Sequence, residues 1–264
     1  MATASIASPP TASTPSPAAG AWVLGFALGG FVDGILLHQV LQWHHLLSLV
    51  PGEALRDIRA QILADGAFHV GMYAIAAVGL WMLWRRRGGF SGTGADRRVA
   101  AGAAFGFALW QAADTVLFHW LLGIHRIRVD VPNPLLWDIG WVVMFGVPPL
   151  LLGLWLRAHA DRGGPGNGRV AAALSAIALL AAPIAALPPG GDAPVLVLFR
   201  EGIGAPGAFA AVAAIDARVV WADPSGELLA IVPGDRSPYR LIGHGALLVG
   251  GSPAVAGCLA WSRI

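Results

Sequence analysis

Apolar stretches of about twenty residues recur along this chain, and each is long enough to cross the roughly 30 Å hydrocarbon core of a bilayer as a helix. They cover residues 21–46, 66–84, 100–122, 137–156 and 169–188. Only 12% of the 264 residues are charged, which is about half the share of an ordinary soluble domain. The pattern predicts an integral membrane protein with five spanning helices.

Every basic residue is an arginine, and the arginines favour alternate loops. Eight follow the second and fourth stretches, within 85–98 and 157–169, whereas four lie in the loops 47–65 and 123–136. Because basic loops stay in the cytoplasm, we expect a multi-pass protein of the bacterial inner membrane with its N terminus inside and the latter two loops outside. The arginines adjoin apolar runs rather than interleaved aromatics, so the lipid bilayer, and not nucleic acid, is the expected partner.

Composition divides the chain into segments. The predicted fold class is an all-α integral membrane bundle, with a four-helix core and a fifth span, followed by a small C-terminal α/β extramembrane domain. β-rich runs at 195–199, 218–223 and 227–232 indicate that domain. The apolar stretch 241–260 is an alternative sixth span, although its glycines make it a poor helix. The segments are a disordered tail (1–20), the core (21–157), a cytoplasmic linker (158–168), the fifth helix (169–188) and a periplasmic domain (189–264).

An internal repeat with an offset of 81 residues relates the first and third spans. Residues 25–45 read GFALGGFVDGILLHQVLQWHH, and residues 106–126 read GFALWQAADTVLFHWLLGIHR. The repeat pairs an aspartate and two histidines in each copy. Repeats in membrane proteins commonly place a functional site at their interface. We therefore expect a core of two duplicated hairpins. The paired residues are Asp33 with Asp114, His38 with His119, and His44 with His125.

Continuous helices would arrange these side chains as a ladder. At about 1.5 Å per residue, His38 and His119 are expected roughly 9 Å deeper than His44 and His125. The second and fourth spans begin near Asp65 and Asp138, at the same end of the bundle. Four helices then deliver histidines and carboxylates to the outer half of the membrane.

Ionisable groups inside a membrane are costly unless they are paired or bind an ion. We therefore predict a metal site with nitrogen and oxygen ligands on the periplasmic side. Imidazole suits copper, iron and zinc, while a single cysteine, Cys258, and four methionines argue against a cage for soft copper(I). The predicted ligands are His38, His44, His69, His119, His125 and Asp65. The predicted pairing or supporting residues are Asp33, His45, Asp114, Asp138 and Arg126.

Three other interpretations stay open. Haem could be held by His38 and His119 at equal depth, although nearby carboxylates suit a porphyrin less well. A proton or ion pathway could use Asp–His chains, although the inner halves of the spans are almost purely apolar. Asp–His pairing could also serve only helix association. The residues do not distinguish an accessory protein from a metal- or haem-dependent membrane oxidoreductase.

Three motifs resemble a bacterial family of predicted membrane proteins of unknown function. They are LGGFVDGILLHQVLQWHHLLS at 28–48, DGAFHVGMY at 65–73 and DTVLFHWLLGIHRIRVDVPNPLLWDIGW at 114–141. The resemblance covers about residues 21–157 and includes the aspartates and histidines named above. Some members of that family are fused to a cytochrome oxidase assembly factor that delivers copper. The resemblance therefore implies copper as the favoured metal, and respiratory oxidase or copper-delivery proteins as partners.

Overall fold

Four helices of this chain are long and apolar enough to span a membrane. The computed structural model describes residues 17–186, without the side chains of 181–186, and residues 194–250. The spans, numbered one to four, are Ala18–Val40, Ile58–Arg85, Ala95–Leu121 and Pro134–Ala158. Their mean hydropathy lies between 1.2 and 1.9. The four-helix core predicted from the sequence is present.

Spans one and three form the centre of the bundle. Within an apolar stretch of 18 residues, 61% of the residues are buried in each of these two spans, compared with 22% in span two and 17% in span four. Close approach of the central pair depends on Gly25 and Gly106, where an added Cβ would overlap the carbonyl oxygens of Ala103 and Trp22, respectively. Small residues allow helix backbones to meet in this way. These two contacts are related by the offset of 81 residues.

Both central helices end in π-helical turns, over Gly34–Val40 in span one and Asp114–Leu121 in span three. The chain then reverses through left-handed residues, Gln42 with φ 50° and Gly123 with φ 63°. The prediction that span one continues as a helix to residue 46 is therefore wrong. We call the end of the bundle that carries these reversals the site end.

Beyond the bundle lie a further helix and a small sheet. Helix Arg169–Ala186 follows span four, and its described apolar part, Arg169–Leu180, is shorter than the four spans. The fifth span thus stays a prediction, and residues 187–188 lie outside the described residues. The strands are β1 (Val195–Phe199), β2 (Arg218–Ala222), β3 (Leu228–Val232) and β4 (Ala246–Gly250).

The sheet has the order β2-β3-β1-β4, and all three pairings are antiparallel. In the register, Val195 lies opposite Ile231. Helix Gly204–Ala214 packs through Ala208, Ala211 and Val212 on one face. The expected β-rich runs form strands, but their antiparallel pairing differs from the α/β type because no helix crosses between parallel neighbours.

The opposite face of the sheet packs against the beginning of span two. Leu196, Leu198 and Leu228 share an apolar cluster with Ile58 and Ile62. Beside this cluster, Arg59 donates hydrogen bonds to Glu227 and Ser225, each at 3.2 Å. The sheet is therefore attached at the site end of the bundle.

Two boundaries differ from those predicted. Span one already begins at Ala18, so residues 18–20 of the expected tail are helical, whereas residues 1–16 lie outside the described residues. Residues 241–250 form part of a 3₁₀ helix and strand β4. This part of the alternative sixth span is therefore not a spanning helix, and 251–260 lies outside the described residues.

Candidate metal centre

The reversals after spans one and three return the chain onto its own helix. After span one, the backbone N–H of Trp43 donates to the Leu37 carbonyl at 3.0 Å. The corresponding bond after span three joins Ile124 to Phe118, also at 3.0 Å. Each reversal brings a loop histidine back beside the histidine of the π turn. The expected 9 Å step in depth is therefore wrong, because the helices do not continue.

Asp33, His38 and His44 form the first buried group, with each residue at most 2% exposed. The Nε2 atoms of His38 and His44 are 3.0 Å apart. The Oδ1 atom of Asp33 is 3.9 Å from His44 Nε2. This oxygen is buried and has no hydrogen-bond partner among the described residues.

Asp114, His119 and His125 form the second buried group, at the positions 81 residues further on. The Oδ2 atom of Asp114 lies 2.9 Å from His119 Nε2, and its Oδ1 atom lies 3.3 Å from His125 Nε2. Both rings are fully buried. In each group the three donor atoms lie within 4.8 Å of one another, so either group can hold a metal ion.

The Nδ1 atoms of all four histidines lie close to polar groups outside the two groups, and those of His44, His119 and His125 make hydrogen bonds there. Asp65 Oδ1 lies 3.0 Å from His38 Nδ1, and Asp138 Oδ1 lies 2.9 Å from His119 Nδ1. The other two partners are backbone carbonyls, Ile127 for His44 and Leu46 for His125, each at 3.0 Å. Every ring is thereby turned so that Nε2 faces the interior of the cluster.

The contacts of the two groups correspond closely. The ring centroids of His38 and His44 are 4.7 Å apart at 73°, and those of His119 and His125 are 4.8 Å apart at 72°. Between the groups, His44 and His125 lie 4.6 Å apart with an angle of 3° between their planes. The six side chains therefore form one contiguous cluster with two matching halves.

Negative charge exceeds fixed positive charge around this cluster. The buried carboxylates are Asp33, Asp65, Asp114 and Asp138. Among the described residues, the one arginine paired with any of them is Arg126, whose Nη1 lies 2.7 Å from Asp138 Oδ2. The remaining charge must be balanced by protonated imidazoles, by protonation of a carboxylate or by bound cations, because an uncompensated buried charge is costly.

The other predicted ligands occupy different places. His69 donates from Nδ1 to the carbonyl of Asp65 at 2.8 Å, and its Nε2 edge packs against Gly34. It belongs to neither group. Asp65 contacts two imidazoles from outside the groups, since its Oδ2 also lies 2.7 Å from His45 Nδ1. His45 contacts Asp65, and Asp138 contacts both His119 and Arg126.

Sequence reasoning did not anticipate the backbone groups of Leu46 and Ile127. The N–H of Leu46 donates to Asp65 at 2.8 Å, and the N–H of Ile127 donates to Asp138 at 3.1 Å. These are the residues whose carbonyls accept from the loop histidines. Leu46 and Ile127 are also related by the offset of 81 residues, so the repeat is the feature of the sequence that pairs them.

An apolar cavity of about 320 Å³ is lined in part by Trp43, Trp137 and Ile127, the residue whose carbonyl lies 3.0 Å from His44 Nδ1. The guanidinium of Arg128 lies 5.4 Å and 5.0 Å from the ring centroids of these two tryptophans. Arg128 also donates to Asp130 at 2.7 Å, and this bond holds the pKa of Asp130 below its usual value. The loop after span three is thus fixed over the fourth span.

Comparison with known proteins identifies one family. Residues 20–160 match the family described as predicted membrane protein (DUF2243). Neither the curated proteins nor the solved structures contain a match. The matched range includes all four spans except the first residues of span one, together with both His/Asp groups.

Proposed function

The chain belongs to this family of predicted membrane proteins, and we propose that it binds metal within the bundle through its two His/Asp groups. The orientation of four histidines carries the proposal. Each directs Nε2 into one interior while Nδ1 faces a carboxylate or a carbonyl. Metal-binding histidines are typically held in this way, because the outer hydrogen bond fixes the tautomer and the ring orientation.

The distances between donor atoms suit coordination. With metal–nitrogen bonds of about 2.0–2.1 Å, neighbouring ligand atoms are separated by about 2.9–3.4 Å. Three observed separations lie within this range. They are 3.0 Å between the Nε2 atoms of His38 and His44, 2.9 Å from Asp114 to His119, and 3.3 Å from Asp114 to His125. Asp33 at 3.9 Å needs a modest movement toward His44.

The aspartates divide into two roles in this proposal. Asp33 and Asp114 are the carboxylate ligands, since each shares a group with two Nε2 atoms. Asp65 and Asp138 hold His38 and His119 from behind. Cations bound within the groups would balance the three buried carboxylates that have no arginine partner.

The ligands and their location favour a role in copper handling. Imidazole and carboxylate ligands suit copper(II), with iron and zinc as the next candidates. We place the site end on the periplasmic side of the inner membrane, following the arginine distribution. The C-terminal sheet packs on the same end and would then be periplasmic. We expect copper delivery to a respiratory oxidase, and the matching contacts support descent from two duplicated hairpins.

Element-resolved metal analysis of the detergent-purified protein tests the proposal. Wild-type protein loaded with copper, zinc or iron should retain at least one ion per chain after desalting. The variant His38→Ala/His119→Ala should lose it, whereas His159→Ala should not, because the His159 imidazole donates to the Trp155 carbonyl of span four, near the other end of the bundle. Wild-type protein that is folded and holds none of the three metals would refute the proposal.

A further inference from the structure

The arrangement of His44 and His125 limits how many ions the cluster can hold. Their ring centroids are 4.6 Å apart and their planes differ by 3°. Rings at this distance cannot lie edge to edge in one plane, because their edge atoms would approach much closer than the roughly 3.5–4.0 Å optimum of carbon contacts. The two imidazoles therefore lie face to face in separate, parallel planes.

Face-to-face imidazoles cannot share an ion in the usual way. The lone pair of Nε2 lies in the plane of its ring, so a well-bound ion also lies in that plane. An ion in the plane of His44 is then outside the parallel plane of His125. An ion bound to both rings would have to lie outside the plane of each ring, where its bonds to the two Nε2 atoms would be weaker.

Each of these rings instead has a partner within its own group. The planes of His38 and His44 cross at 73°, and those of His119 and His125 cross at 72°. Crossing planes meet along a line, and an ion on that line can be bound in-plane by both rings. Across the groups, the ring centroids of His38 and His125 are further apart, at 6.2 Å.

We propose that the cluster is a two-metal centre. One ion is bound by Asp33, His38 and His44, and a second by Asp114, His119 and His125. The inference rests on the proposed metal binding and adds the number of ions and the division of ligands. Because each ion would lie in the plane of its own stacked ring, the ions can be no closer than the two ring planes, which is compatible with the roughly 3.5–4 Å typical of two-metal sites.

Two ions also match the charge of the cluster. Of the four buried carboxylates, Asp138 is paired with Arg126. With the other three carboxylates ionised and the imidazoles neutral, three negative charges remain, and one divalent ion leaves one of them to be balanced by a proton or by a second ion. Two divalent ions exceed them by one positive charge, which a hydroxide bridging the ions can balance.

Copper stoichiometry in the full-length protein tests the proposal. The detergent-purified chain is loaded with cupric ion and desalted, and copper is measured against protein by quantitative amino-acid analysis. We expect two copper ions per chain in the wild type. Asp33→Asn/His38→Ala and Asp114→Asn/His119→Ala should each retain one, and the combined variant should retain none.

Electron paramagnetic resonance adds a measurement that does not depend on the stoichiometry. Two cupric ions at this separation couple magnetically, so wild-type protein should show a reduced signal per copper. Each one-copper variant should regain the full signal of an isolated ion. Retention of one copper also reports that the variant is folded.

The outcomes separate the two proposals. A wild type that binds one copper, with the full uncoupled signal, would overturn the two-metal centre but leave metal binding intact. Loss of all copper from both group variants, with a one-copper wild type, would indicate a single shared site. No copper bound to folded wild-type protein would refute metal binding, and the two-metal centre with it.

Discussion

Replacing Asp138 with Asn should weaken both the fold and the metal centre. The buried carboxylate of Asp138 accepts four hydrogen bonds: from His119 Nδ1 at 2.9 Å, Ile127 N at 3.1 Å, Arg126 Nη1 at 2.7 Å and Trp120 Nε1 at 3.1 Å. The first two reach Oδ1, and the last two reach Oδ2. An asparagine offers one acceptor oxygen, so one pair of donors loses its partner whichever way the amide turns.

The loss of stability depends on which pair of donors no longer has an acceptor. The amide nitrogen should face Arg126 and Trp120, because these side chains are partly exposed and can turn toward water or the lipid headgroups. Each unsatisfied donor costs about 1–3 kcal/mol, with the smaller values for exposed groups. We expect the free energy of unfolding to fall by about 2–4 kcal/mol. Metal affinity should fall about 10-fold or more, since His119 keeps a hydrogen bond but loses its charged partner.

Unfolding in mixed detergent, followed by tryptophan fluorescence with a chelator present, measures the stability term without the contribution of bound metal. Competition with a chromophoric chelator measures the affinity. Asp130→Asn is the matched control, because Asp130 pairs with Arg128 at the surface and should cost less than about 1 kcal/mol. If Asp138→Asn changed stability and affinity no more than Asp130→Asn, the assigned role of Asp138 would be wrong.

Two further substitutions test the packing. Gly106→Val should abolish folding or lower stability by about 3 kcal/mol or more, because its Cβ would overlap the Trp22 carbonyl. Gly140→Ala, with nothing within 4 Å of its added Cβ, should be neutral or slightly stabilising in the same unfolding assay. Ile62→Asp should detach the C-terminal sheet from span two, so that limited proteolysis releases the sheet faster. Arg59→Ala should increase the rate of release less, because the ion pairs that it removes are partly exposed to solvent. Equal behaviour within either pair would contradict the contacts described above.

The bundle could be predicted because its signals are local. Apolar length gave the four spans, and the repeat gave the correspondence of His38 with His119 and His44 with His125. The structure brings all four together. These inferences needed only the composition of each segment and a fixed offset along the chain.

The ligand geometry could not be predicted because it depends on where the helices stop. Gln42 is an ordinary helix-forming residue, yet it takes a left-handed conformation. Its counterpart is Gly123, which is a typical helix-ending residue. Applying that signal across the repeat would have ended span one near Val40 and returned His44 to the depth of His38. If span one continued as a helix, Asp65 would lie nearer the histidines than Asp33. The prediction of Asp65 as a ligand rests on that assumption.

The backbone of Leu46 and Ile127 has a consequence for biogenesis. Each residue donates its N–H to an aspartate that follows within its own half, Asp65 or Asp138, and offers its carbonyl to a histidine of the other half. While the ribosome is still translating the second half, His44 has no carbonyl to orient it. The first hairpin alone would thus leave its ligand ring unfixed. For the proposed metal binding, this predicts that the cluster gains its full set of oriented histidines only when both halves have been inserted and have met.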